Sequence, residues 1–153
     1  MTREEIFELI EKIDDPVKDY QKIISNLHYT HYNLMDYYKK SLEIYDLTPM
    51  QSNVLSIIHY HQPKSLSLEE IKSMVLEPGS DVSRIVLRSS EKGFVEKVQN
   101  ASNNRKLAIA ITNKGLDVMK RISEDHSFNN LTHNFTLAEA EAFVLLLKKL
   151  RVS

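Results

Sequence analysis

The sequence predicts a mainly α-helical chain that carries one small β-hairpin directly after a helix–turn–helix. Three observations predict it. All three glycines fall between positions 79 and 115, so the flanking stretches are free of helix breakers apart from four prolines. Helix-capping signatures recur where apolar residues begin to return at helical spacing. Two runs with strand character, Phe94–Gln99 and Lys106–Ile111, flank a polar, turn-prone connection.

The elements follow in order. Thr2-Arg-Glu-Glu5 matches a capping box, and Ile6, Leu9, Ile10 and Ile13 then keep to one face until Asp14-Asp15-Pro16 interrupts. From about Val17 to Tyr45 there is neither Gly nor Pro, and Tyr20, Ile23, Ile24, Leu27, Leu34, Tyr38 and Leu42 line one side of a long helix. Thr48 caps a third helix with Pro49 at its first position; Met50, Val54, Leu55, Ile57 and Ile58 carry it toward His61, and Pro63 ends it.

Ser67-Leu-Glu-Glu70 is a second capping box, opening a short helix with Leu68, Ile71, Met74 and Val75 inward before Pro78-Gly79 turns the chain. Ser80 or Asp81 caps the next helix. There Val82, Ile85, Val86 and Ser89 form the inward stripe, and Asp81, Arg84, Leu87 and Arg88 lie on another face. Gly93 stops this helix and releases the chain into the hairpin. In its second strand Leu107, Ile109 and Ile111 alternate with Ala108 and Ala110, and Asn100 to Asn104 form the polar connection. Thr112 caps a helix reaching roughly Leu131, and Thr136-Leu-Ala-Glu139 opens a last one over Ala140–Val152. The expected fold is a winged helix-turn-helix with helices before and after it.

At 153 residues the chain has one domain's usual length. With no cysteine, disulfides, thiolate metal sites and a cysteine nucleophile are excluded. The charged, amphipathic N-terminus and the lack of any long apolar run lead us to expect a soluble, cytoplasmic protein with no membrane partner. Net charge is −1, which argues against a generic polyanion binder, but its distribution is uneven. Residues 79–115 hold seven Lys/Arg against three Asp/Glu, a surplus of four positive charges, whereas 1–45 hold six against nine.

Val82-Ser83-Arg84-Ile85-Val86, then Glu91-Lys92-Gly93-Phe94-Val95-Glu96-Lys97, Asn103-Asn104-Arg105 and Ile111-Thr112-Asn113-Lys114-Gly115 occur in this order. In that order and spacing the chain resembles the MarR family of bacterial transcription regulators over nearly its whole length. The resemblance implies N-terminal helices that contribute to dimerisation over 1–45, a winged DNA-binding lobe over 46–115, and C-terminal dimerisation helices over 116–153.

It also implies a homodimer on a palindromic operator, each recognition helix reading a half-site about 34 Å from the other. Ser80, Asp81, Ser83, Arg84 and Arg88 are the expected contacts of that helix, and Asn103, Arg105 and Lys106 those of the wing. Three departures bear on this. Asn103 stands where the family usually has a wing Asp, which removes a carboxylate that would orient Arg105; Asn104 stands where Arg is frequent; and Ser89 stands where a core Leu is common, with Leu87 the residue expected to compensate.

The resemblance further implies a small phenolic or amphipathic effector, for which His28, Tyr29, Tyr32 and His59 form the expected pocket within an aromatic-polar group that also includes His31, Tyr38, Tyr60 and His61. No cofactor and no metal are expected. His28 and His31 share a helix face, but an i, i+2 pair such as His59 and His61 does not readily converge on one ion.

The leading function is a sequence-specific, ligand-responsive repressor. The alternative is a winged-helix protein-interaction module without sequence-specific DNA binding, which the near-neutral charge and the Asn103 and Asn104 departures would favour. An enzyme is not expected: three glycines furnish no phosphate-cradling loop, and no metalloprotease or nucleophile motif is present.

Overall fold

A computed structural model of the chain describes residues 4–5, 8–9, 12, 19–100, 103–125 and 134–151, with the side chains at 19, 100 and 103–106 outside the description. Its elements are α1 (Asp19–Glu43), α2 (Pro49–Tyr60), α3 (Leu68–Met74), α4 (Val82–Glu91), β1 (Val95–Asn100), β2 (Asn103–Ile111), α5 (Asn113–Glu124) and α6 (Leu137–Lys149). The helix expected over 2–13, with its Thr2 cap, lies largely outside the described residues; positions 4–5 and 8–9 are helical.

The helix starts obey local chemistry. Thr48 Oγ1 accepts from the Gln51 N–H at 3.2 Å while Gln51 Oε1 accepts from the Thr48 N–H at 3.1 Å, a full capping box with Pro49 in the first turn. Ser67 and Glu70 repeat that reciprocal arrangement at α3, as do Thr136 and Glu139 at α6. At α5 the hydroxyl of Thr112 accepts from the Gly115 N–H at 3.1 Å.

The core lies in the middle of the chain. Leu42, Tyr45 and Leu47 at the end of α1 meet Val54, Leu55 and Ile58 of α2, and Leu66, Ile71, Val82, Val86, Phe94, Val95, Ile109, Ile111 and Val118 complete the cluster. The first five turns of α1 and all of α6 stay outside it. On α1, Tyr20, Ile23 and Ile24 are exposed, and α6 has no buried residue.

The antiparallel hairpin pairs Val95 with Ile111 and Lys97 with Ile109, and its register breaks between Gln99 and Asn100. Here the structure corrects the sequence reading. Asn103 and Asn104 belong to β2 rather than to the turn, because backbone pairing of Asn100 with Asn103 closes the hairpin nearer its tip than polar composition implies. Along β2, Ala108, Ile109 and Ile111 are buried, whereas Leu107 is exposed where it pairs with exposed Gln99. A bridge between Leu66 and Ile109, with N–H···O distances of 3.0 and 2.7 Å, adds a third segment that no local pattern announces.

A second correction concerns α5, which ends at Glu124 rather than near Leu131. Asp125 takes an extended conformation, and its carboxylate accepts a hydrogen bond from Tyr45, so a tertiary contact takes the chain off the helical path. Residues 126–133 lie outside the described residues.

Candidate nucleic-acid interface

The recognition helix expected from the sequence is α4, and its presentation rests on its two ends. At the N-terminus Asp81 caps it: the Arg84 N–H donates to Asp81 Oδ1 at 3.1 Å. Negative charge at this end also suits the helix dipole. At the C-terminus Gly93, at φ +75°, turns the chain toward β1, and the Phe94 N–H donates to the Ser89 carbonyl at 2.9 Å.

That C-terminal junction is built from the motif residues that carry the family resemblance. Thr112 Oγ1 donates to the Gly93 carbonyl at 2.6 Å, and Lys114 Nζ donates to the Lys92 carbonyl at 2.7 Å while lying over the Phe94 ring. A side chain on Gly115 would collide with the Phe94 carbonyl oxygen and with Ile111 Cγ1, so only glycine lets α5 approach this closely. Lys92 Nζ reaches across to the carbonyl and carboxylate of Asp46, at 2.6 and 2.8 Å, tying the end of α4 to the corner between α1 and α2. These are positioning residues, and periodicity alone would not find them.

Held in this way, α4 buries Val82, Val86 and Ser89 and turns Ser83, Arg84, Leu87 and Arg88 outward. Among the described residues Arg84 forms no ion pair with Asp81, whose carboxylate caps the helix N-terminus, and Arg88 forms none with Glu91. Two guanidinium groups are therefore presented to solvent without a carboxylate partner. Ser80 is half-buried in the turn leading into the helix.

Leu87 does not compensate for Ser89. It is 51% exposed, whereas Ser89 is fully buried with a hydroxyl that has no hydrogen-bond partner among the described residues. Asn103, Arg105 and Lys106 sit on β2 at the far end of the hairpin from the core.

The residues expected at an effector pocket divide between two helices. His28 and Tyr32 are exposed and Tyr29 half-buried on α1; His59 is half-buried on α2, with Nδ1 buried and lacking a hydrogen-bond partner among the described residues and its ring 5.7 Å from that of Tyr60. A separate groove of about 620 Å³ lies between α1 and α6, lined chiefly by Ile23, Leu27, Phe143, Leu146, Leu147 and Leu150. Among the described residues no three His, Asp or Glu side chains converge as metal ligands, and no helix is long and apolar enough to cross a membrane.

This arrangement defines a winged helix-turn-helix protein. No family model matches the chain. It is 31% identical over 68 residues to the HTH-type transcriptional regulator SarU of Staphylococcus aureus, a match that takes in 44% of this chain and 28% of that relative's length. It is 26% identical over 114 residues to the HTH-type transcriptional regulator BilQ of Clostridioides difficile, covering 73% of this chain and 76% of the relative. Among solved structures, a mutant MarR from E. coli complexed with operator DNA superposes with a TM-score of 0.74 at 21% identity, over 91% of this chain and 100% of that one. The chain has the fold of the MarR-family winged-helix regulators, and the resemblance read from its ordered motifs extends over most of its length.

Proposed function

We propose that the chain is a sequence-specific DNA-binding transcription regulator. The observation that carries this reading is the outward stripe of α4, where Ser83, Arg84 and Arg88 have no side-chain partner among the described residues, on a capped helix whose opposite face is buried. Such a stripe has the donor chemistry that major-groove base edges accept, with guanidinium groups suited to guanine. The positive surplus of residues 79–115 supports the same surface, with Arg105 and Lys106 reaching phosphates or the minor groove from the wing and Asn103 supporting them.

The finer parts of the proposal are a homodimer built by the helices of 1–45 and 116–153, a palindromic operator, repression, and release by an amphipathic effector beside His28, Tyr29, Tyr32 and His59. Support for the dimer is the apolar surface that α1 and α6 leave uncovered, and support for the effector is the unpaired His59 Nδ1. The decisive experiment is selection of bound duplexes from a random pool by the full chain. Recovery of a palindrome establishes a two-fold reader; recovery of no preferred sequence refutes DNA reading and leaves a winged-helix protein-interaction module.

A further inference from the structure

We propose that Leu87 is a specificity-determining residue that reads a thymine through its C5-methyl group, an inference that rests on α4 being the DNA-reading helix. Five side chains face outward along α4: Ser83, Arg84, Leu87, Arg88 and Glu91. Four are polar or charged. Leu87 lies one turn beyond Ser83 and Arg84, beside Arg88 and one turn before Glu91, so it sits inside the stripe rather than at its margin.

The core has no use for Leu87. It is 51% exposed and stands outside the apolar cluster, although the same helix buries Ser89, whose hydroxyl has no partner among the described residues. An apolar side chain is thus turned to solvent on a helix whose inward face is partly polar. Of the features that base pairs present in the major groove, the thymine methyl is the one apolar group, and it is recognised by hydrophobic contact. The flanking guanidinium groups of Arg84 and Arg88 supply the attraction to nucleic acid; Leu87 supplies discrimination that neither can, because a methyl group offers nothing to a hydrogen-bond donor.

The contact can be isolated by single-atom-group chemistry. The probe is the duplex that the wild-type chain selects from a random pool, remade with each thymine of one half-site replaced singly by uracil, which deletes only the methyl. For wild type we expect one thymine at which uracil weakens binding roughly four-fold, the value of one buried methyl. For Leu87→Ala we expect thymine and uracil duplexes to bind alike, with the dependence of affinity on salt unchanged because no phosphate contact is lost.

Leu87→Gln, which keeps the bulk but not the apolar surface, should behave as Leu87→Ala does; unfolding midpoints near wild type for both exclude a folding effect. A selected duplex with no methyl-sensitive thymine, or equal sensitivity in Leu87→Ala, overturns the role of Leu87 while leaving DNA reading intact. If the pool yields no preferred duplex at all, both the function and this inference fall.

Discussion

The hydroxyl of Tyr45, just beyond α1, donates a 2.6 Å hydrogen bond to the carboxylate of Asp125, just beyond α5, and Arg121 lies 5.3 Å above the Tyr45 ring. The bond joins the long N-terminal helix to the exit of the winged lobe. The hydrogen bond to Asp125, together with burial, pushes the phenol above its ordinary value of 10.0. A group whose folded pKa is raised contributes fully below its unfolded pKa and loses that contribution as pH climbs through the folded one. Tyr45→Phe should therefore cost about 1 kcal/mol at neutral pH, and the gap to wild type should narrow above pH 10. Urea unfolding at neutral and alkaline pH checks both; a gap that persists undiminished at high pH would sink the assignment.

Glu70 reciprocates the cap of α3 and also accepts from Lys64 Nζ at 2.7 Å. Lys64 first, then the Ser67 N–H, holds its pKa down to about 2 from 4.5. A depressed carboxylate contributes above its unfolded pKa and loses that contribution as pH falls through the folded one. Wild type should exceed Glu70→Gln in thermal midpoint above pH 4.5, and the difference should vanish as pH drops to about 2. A constant difference across that range would mean that charge is not the cause.

Ser89→Ala should stabilise the chain. The substitution removes a buried hydroxyl that has no partner among the described residues and installs a better helix former, together worth about 1 kcal/mol. A lowered urea midpoint would show that the hydroxyl is satisfied in solution.

Gly115→Ala sets two effects against each other. Alanine favours a helix over glycine by about 1 kcal/mol, but its Cβ would strike the backbone oxygen of Phe94, which cannot swing aside as a side chain can. The clash wins, and we expect a net loss of about 2–3 kcal/mol in unfolding free energy.

Arg84→Ala and Arg105→Ala separate the two halves of the proposed DNA surface. Arg84→Ala should weaken binding to the selected duplex about ten-fold or more and relax preference at one base pair. Arg105→Ala should weaken binding across sequences alike and reduce the salt slope by about one. Titrations at several salt concentrations distinguish them; unchanged affinity and slope for Arg105→Ala would remove the wing contact.

What could be read beforehand was whatever is decided within a few residues. The caps at Thr48, Ser67, Thr112 and Thr136 and the inward stripe of α4 depend on neighbours one helical turn away, and each stands as expected. Features settled by distant partners were hidden. The bridge from Leu66 to Ile109, the end of α5 at Glu124 and the outward side chain of Leu107 all follow from where other segments lie. The candidate interface divides in the same way: the exposure of Arg84 and Arg88 is periodic, whereas the use of the Asp81 carboxylate as a helix cap, with no Arg84 ion pair among the described residues, is settled by local geometry that periodicity does not give.

Helix α6 spans 13 residues and buries none of its side chains. Isolated helices of that length are marginal in water even when their sequences favour them. In the proposed dimer its order becomes a matter of mass action: dilution should melt α6 well before the winged lobe, and its helical content should rise with protein concentration. Folding of this end of the chain and association of the chain would then be one equilibrium, read by one stoichiometric curve.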